Sequence, residues 1–131
     1  MEVGEEVSAR LRMEDASCIV LDDPSEEQVY DTIADLNSRF RYAVLQRLDV
    51  PGAEAGQCYI QVWLHDDGGY IVEHREGGPD RHFRVRLAPA PGPFGNEPVA
   101  RLVWSWARPG DESWRTAVAW QPWSGDGLPD P

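Results

Sequence analysis

The chain has 131 residues, of which 41% are hydrophobic, so it is long and apolar enough to bury one modest core. Its apolar runs are only a few residues long, far short of the roughly 20 residues that span a bilayer. The N-terminus has neither the basic nor the apolar segment of a secretory signal peptide. We therefore expect a cytoplasmic protein without a transmembrane helix.

The net charge of −11 is distributed unevenly along the chain. Residues 1–40 contain eleven acidic residues and three arginines, whereas residues 41–108 contain eight of each. A field of this sign repels nucleic acid and anionic membranes, and it attracts a basic partner. It can also serve only to keep the protein soluble. If a partner exists, we expect a protein, with a basic toxin as one candidate, and neither nucleic acid nor membrane.

The first segments are weakly patterned. Residues 1–16 are polar and acidic, which is typical of a flexible arm. A short apolar run at 18–21 predicts a buried strand. Cys18 and Cys58 are both flanked by strand-like apolar residues, which indicates buried thiols and not a disulfide or a metal site.

An acidic helix begins within the segment DDPSEEQ (22–28). Asp23 can cap this helix, Pro24 suits the first helical position, and Glu26 follows the cap by three residues. Apolar residues at helical spacing form one stripe, consisting of Val29, Ile33, Leu36 and Phe40. The other faces of the helix carry Glu27, Asp31 and Asp35.

Short runs rich in β-branched and aromatic residues predict further strands at 42–48, 59–64, 70–75, 81–87 and 116–121. Asn96 can cap a second helix, which Pro109 and Gly110 would end. We expect an α+β fold: a largely antiparallel sheet of five to six strands, ordered β-α-β-β-β-β-α-β, with two helices packed on one face. The domain should span residues 17–123, and residues 124–131 should be a disordered tail.

The register of the hairpins follows from the apolar alternation. A three-residue loop at 66–68, with Gly68 in the left-handed conformation, pairs Val62 with Val72. A four-residue loop at 77–80 pairs Val72 with Val85. A slip by one residue would turn every apolar side chain outward, at roughly 1.5–3 kcal/mol each. The predicted core face is Ile60, Val62, Leu64, Tyr70, Val72, Phe83, Val85 and Leu87, with His74 as a structural histidine at its margin.

The opposite face of these strands combines aromatic residues with arginine. Its predicted members are Tyr59, Gln61, Trp63, Ile71, Glu73, Arg75, His82, Arg84 and Arg86. Tyr, Trp and Arg are the residue types enriched at protein interfaces, so this face is a candidate contact surface. An equally valid interpretation is a solvated sheet face with cross-strand Glu–Arg pairs.

The chemistry-bearing residues suggest one possible reaction site. Glu73 and His82 lie within reach across neighbouring strands, and with Arg84 they could form a small catalytic or ligand-binding cluster. His74 and His82 point to opposite faces, which argues against a metal site. The sequence contains no G-x-G-x-x-G and no G-x-x-x-x-G-K motif, so we predict no cofactor.

Three segments carry a resemblance to a known family. They are the helix start DPSEE (23–27), the hairpin DGGYIVEHREGG (67–78) and the closing segment TAVAWQPW (116–123). With the order of elements over residues 17–123, they resemble the deaminase-associated immunity proteins of bacterial polymorphic toxin systems. The chain also resembles small acidic actinobacterial proteins. The first resemblance implies a non-enzymatic protein that masks the active site of a toxin.

The preferred hypothesis is a non-enzymatic protein-binding module, of which an immunity protein is one form. Its candidate contact residues are Tyr59, Trp63, Glu73, Arg75, His82, Arg84 and Arg86 on the sheet, and Glu27, Asp31 and Asp35 on the acidic helix. The alternatives are a small enzyme or ligand-binding domain that uses the cluster of Glu73, His82 and Arg84, and a structural or regulatory module. An exposed aromatic face could also form a homodimer.

Overall fold

The structure, a computed structural model, describes residues 9–50, 56–88 and 95–123. The described elements, in chain order, are β1 Leu11–Asp15, β2 Val20–Asp22, α1 Glu26–Ala34, β3 Tyr42–Arg47, β4 Cys58–Leu64, β5 Tyr70–Glu76, β6 His82–Leu87, α2 Glu97–Ala107, α3 Trp114–Ala117 and β7 Gln121–Pro122. They form the predicted α+β fold, although the strands number seven and the helices three. None of the described helices is long and apolar enough to cross a membrane.

The strands form a single antiparallel sheet in the order β2-β1-β3-β4-β5-β6-β7. The four strands from β3 to β6 are the predicted meander. Strand β1 lies between β2 and β3, so the connection through α1 passes over β1. The three helices pack on one face of the sheet, because residues of all three join the same buried cluster as the inward side chains of β4 and β5.

Strand β1 corrects the prediction that residues 1–16 are an arm. Leu11 and Met13 are buried in the core, and β1 pairs with a strand on each side. Their alternation with Arg12 and Glu14 is the signature of a half-buried strand. The predicted strand at 18–21 is displaced to β2, and Cys18, expected to be buried, is exposed with a φ of 71°. Residues 1–8 of the predicted arm lie outside the described residues.

The N-cap of helix α1 lies two residues further along the chain than predicted. Ser25 is the N-cap: its hydroxyl accepts a hydrogen bond from the Gln28 N–H, and the Gln28 side chain accepts one from the Ser25 N–H. This is a capping box. Asp23 instead fastens the start of β1, because its carboxylate accepts hydrogen bonds from the backbone N–H groups of Arg10 and Leu11.

The predicted register of the two hairpins is confirmed. Val62 pairs with Val72, Val72 pairs with Val85, and Glu73 lies opposite Arg84. Two backbone hydrogen bonds close the turn between β4 and β5: the His65 N–H donates to the Gly69 carbonyl, and the Gly68 N–H donates to the His65 carbonyl. Gly68 has a φ of 89°, which is the left-handed conformation that the three-residue loop requires.

The second predicted helix, α2, is confirmed. Asn96 occupies its N-cap position, but the Asn96 side chain makes no capping hydrogen bond. The strand predicted at 116–121 is wrong. Residues Trp114–Ala117 form the short helix α3, and only Gln121–Pro122 pair with β6 as strand β7. Burial of Trp114 against the core outweighs the weak alternation of the segment. The tail predicted at 124–131 lies outside the described residues.

Candidate functional site

The helix-free face is the side of the sheet against which none of the described helices packs. All seven sheet residues predicted as contact candidates belong to it by register: Tyr59, Trp63, Glu73, Arg75, His82, Arg84 and Arg86. The same register adds Arg12, Glu14, Tyr42, Val44 and Gln46, and Trp123 follows from its backbone hydrogen bond to His82. The sequence did not reveal Trp123, because the position of β7 was not predicted.

A polar pair lies buried at the centre of the helix-free face. His82 is 4% exposed and Glu73 is 6% exposed, and a hydrogen bond of 3.1 Å joins Nε2 of His82 to Oε1 of Glu73. Their strands are neighbours, and the two residues are diagonal partners across the ladder. Because a buried carboxylate without a partner is strongly destabilising, removing only one member of this pair should destabilise the protein.

Arg75 determines which nitrogen of the His82 ring carries the proton. Its Nε donates to Nδ1 of His82 at 3.0 Å, and its Nη1 donates to Oε1 of Gln57 at 2.9 Å. A guanidinium has only donors, so Nδ1 of His82 must be the acceptor. The remaining imidazole proton therefore lies on Nε2 and is donated to Glu73. The result is a continuous chain from Gln57 through Arg75 and His82 to Glu73.

These hydrogen bonds bear on the alternative hypothesis of a reaction at Glu73 and His82. A histidine that acts as a general base needs a nitrogen that can accept a proton from a substrate. In this structure Arg75 occupies one nitrogen of His82, and the other carries the proton bonded to Glu73. The arrangement holds side chains in place and offers a substrate no free site on the ring.

Aromatic side chains also lie on the helix-free face, and two of them contact His82. The rings of Tyr42 and Trp63 are stacked in parallel with centroids 6.0 Å apart. Trp123 and Tyr59 each meet the His82 ring edge-on, at 5.4 and 6.0 Å. Burial raises the pKa of Tyr59, so its hydroxyl stays neutral. These rings combine apolar area with fixed orientation.

Arginine side chains complete the surface. The guanidinium of Arg84 lies over the Trp123 ring, 4.7 Å from its centroid. Arg86 donates to Asp67 at 2.5 Å, at the turn between β4 and β5. The backbone N–H of Gly69 and the Arg86 side chain both hold the pKa of Asp67 below its usual value. Stacked and paired arginines of this kind keep their charge in a defined place.

The acidic helix residues belong to a different surface. Glu27 and Asp31 are exposed on α1, and Asp35 is exposed at its C-cap. The buried side of α1 joins the core on the opposite side of the sheet. The two groups of predicted contact residues therefore do not form one continuous patch. A partner that docks on the helix-free face can meet α1 only by extending around the edge of the sheet.

His74 lies on the helix side of the sheet, at the predicted margin of the core. Its ring is enclosed by Phe83, Trp114 and Trp120, with centroids 5.1, 4.8 and 4.4 Å away. Burial lowers its pKa to about 4, so the ring is neutral at physiological pH. Nδ1 of His74 has no hydrogen-bond partner among the described residues, so the role of this histidine is packing.

Potential metal ligands and nucleophiles are dispersed. Within the described ranges, no group of three or more His, Cys, Asp or Glu side chains could hold a metal ion. His65 closes the turn between β4 and β5, away from both other histidines. Cys58 is buried, and burial raises the pKa of its thiol, which disfavours the reactive thiolate.

No family model, curated protein or solved structure matches the chain.

Proposed function

We propose that this protein is a non-enzymatic protein-binding module whose contact surface is the helix-free face. The observation that carries the proposal is the hydrogen-bonded series Gln57–Arg75–His82–Glu73, which orders side chains of the helix-free face in advance of binding. Tyr, Trp and Arg dominate the energetics of protein interfaces. Side chains that are already ordered lose less conformational entropy when a partner docks.

The proposal extends to the class of partner. In line with the resemblance to immunity proteins, we propose that the partner is a toxin whose active site the helix-free face covers. The net charge of −11 would accelerate the approach of a basic toxin. In this arrangement the acidic residues of α1 act on the association rate from a distance, while the sheet makes the contact.

The test separates these two surfaces. The protein is used to capture partners from its native host, and the purified partner is then titrated against three forms of the chain. They are the unaltered protein, Trp63→Ala on the sheet, and the double variant Glu27→Gln/Asp31→Asn on α1. Trp63→Ala should weaken binding by about 2 kcal/mol, or roughly thirty-fold, because Trp63 is a half-buried aromatic anchor.

The helix variant should behave differently. Removing two exposed acidic side chains should slow association several-fold at low salt and leave the dissociation rate nearly unchanged. Equal binding by Trp63→Ala and the unaltered chain would refute contact through the helix-free face. Sedimentation of the protein alone shows whether the face instead joins two copies, in which case Trp63→Ala would shift the dimer to a monomer.

A further inference from the structure

A cavity of about 300 Å³ lies between α2, α3 and the end of β6, on the helix side of the sheet. Its apolar walls are Leu87, Pro98, Leu102, Trp114, Ala117 and Val118. This volume is at the lower end of the range for small-molecule pockets. An apolar cavity of roughly half this volume, ~150 Å³, already binds benzene. The space is therefore sufficient for a compact apolar molecule.

One wall of the cavity is polar and has a defined hydrogen-bond pattern. The N–H and the hydroxyl of Ser113 both donate to Oδ1 of Asp111, at 2.9 and 2.6 Å. Oγ of Ser105 lies 2.9 Å from Oγ of Ser113. Because the only hydroxyl proton of Ser113 goes to Asp111, Oγ of Ser113 can only accept from Ser105, and the Ser105 hydroxyl also lies within hydrogen-bond reach of the Asp111 carboxylate. Both protons are then in use, and Ser105 retains lone pairs that can accept.

The charges around the cavity select against an anion. The Ser113 hydroxyl and N–H hold the pKa of Asp111 below its usual value, so this carboxylate next to the serines is negative. Arg101 lies at the rim of the cavity, but its guanidinium is paired with Glu97 at 3.4 Å on the same helix. A ligand group that faces Ser105 should therefore be an uncharged donor.

From this geometry we infer a second binding site, separate from the helix-free face, that accepts a compact uncharged apolar molecule with one hydroxyl group, of the phenol class. The ring fills the space against Leu102 and Trp114, and the hydroxyl donates to Ser105. The site does not depend on the proposed protein-binding function, because it lies on the other side of the sheet.

The experiment titrates the full chain with three probes of similar size: phenol, toluene and benzoate. Binding is followed by calorimetry and by tryptophan fluorescence, since Trp114 forms part of the wall. Phenol should bind saturably. Toluene, which lacks the donor, should bind roughly three- to ten-fold more weakly, the value of one neutral hydrogen bond. Benzoate should bind more weakly than phenol, because its carboxylate would lie close to the negative Asp111.

Three variants localise the site. Ala117 is exposed at the rim, so Ala117→Leu extends across the cavity without entering the core and should lower phenol affinity at least ten-fold. Ala119→Leu, at an exposed alanine outside the lining, should leave the affinity unchanged. Ser105→Ala should reduce phenol affinity to that of toluene and leave toluene binding unaltered.

Three outcomes would overturn the inference. They are the absence of saturable phenol binding, phenol binding that Ala117→Leu does not weaken, and benzoate binding as strong as that of phenol. Ser105→Ala provides an independent readout if Ala117→Leu fails to fold, because a retained preference for phenol over toluene in that variant would also refute the assigned polar wall.

Discussion

His74 and His82 lie on neighbouring strands and are almost equally buried, but they face opposite sides of the sheet. His74 is enclosed by aromatic rings, and Nδ1 has no hydrogen-bond partner among the described residues. His82 uses both nitrogens, one toward Arg75 and one toward Glu73. Burial alone therefore does not define the role of a histidine. The first packs the core, and the second organises the side chains of a surface.

The largest expected effect comes from replacing the histidine of the polar chain. His82→Phe leaves the carboxylate of Glu73 buried without its donor, and Arg75 loses its acceptor. We expect a loss of about 3–5 kcal/mol in the free energy of unfolding, measured by urea denaturation at pH 7.

A double variant provides the control for this prediction. Replacing the whole pair with apolar residues, in His82→Phe/Glu73→Leu, removes the buried charge and should recover most of the lost stability. If His82→Phe alone were as stable as the unaltered chain, the hydrogen-bond chain would contribute nothing to the fold.

The second-largest expected effect is a loss of stability at acidic pH. The pKa of His74 falls from 6.5 to about 4 in the folded state, whereas the unfolded chain keeps the ordinary value. The unfolded state therefore binds the proton first as the pH falls. The contribution of neutral His74 to the free energy of unfolding should be fully present above pH 6.5. It should be lost as the pH falls toward 4, which lowers the free energy of unfolding by about 2–3 kcal/mol.

His74→Phe isolates this contribution. It keeps a ring within the cluster of Phe83, Trp114 and Trp120, and it removes the titrating group. Unfolding measured across the same pH range should show a smaller decline, with stability at pH 7 changed by about 1 kcal/mol or less. An unaltered decline would mean that other groups cause the acid sensitivity.

The smallest effect is expected at Arg75. Arg75→Lys keeps the positive charge but cannot donate in two directions to His82 and Gln57 with the geometry of a guanidinium. We expect a loss of about 1–1.5 kcal/mol by urea denaturation. The ¹⁵N shifts of the His82 ring offer a direct check, because the proton should be fixed on Nε2 in the unaltered chain and less firmly in the variant.

Side-chain parity made the meander predictable from the sequence. Because apolar residues alternate in β4 and β6, one register places Val62, Val72 and Val85 together on the core face, and Gly68 supplies the turn that this register needs. The same parity placed His74 and His82 on opposite faces. Parity could not predict the burial of His82, which involves Trp123, the residue after β7.

The errors arose where local patterns were short. Strand β1 contributes only Leu11 and Met13 to the core, and the acidic composition around them masked the alternation. Residues 116–121 alternate like a strand, but the buried Trp114 and the backbone hydrogen bond from Ala117 to Ser113 favour a helical turn. Tertiary packing decided both segments.

The most direct test of the proposed contact surface is side-chain oxidation of the protein alone and in complex with its captured partner, read out by mass spectrometry. Trp63 and Trp123 lie on the helix-free face, and Trp104 packs at the edge of the core on the helix side. Binding should protect Trp63 and Trp123 and leave Trp104 unchanged. Protection of Trp104, with Trp63 and Trp123 as reactive as in the free protein, would contradict the account.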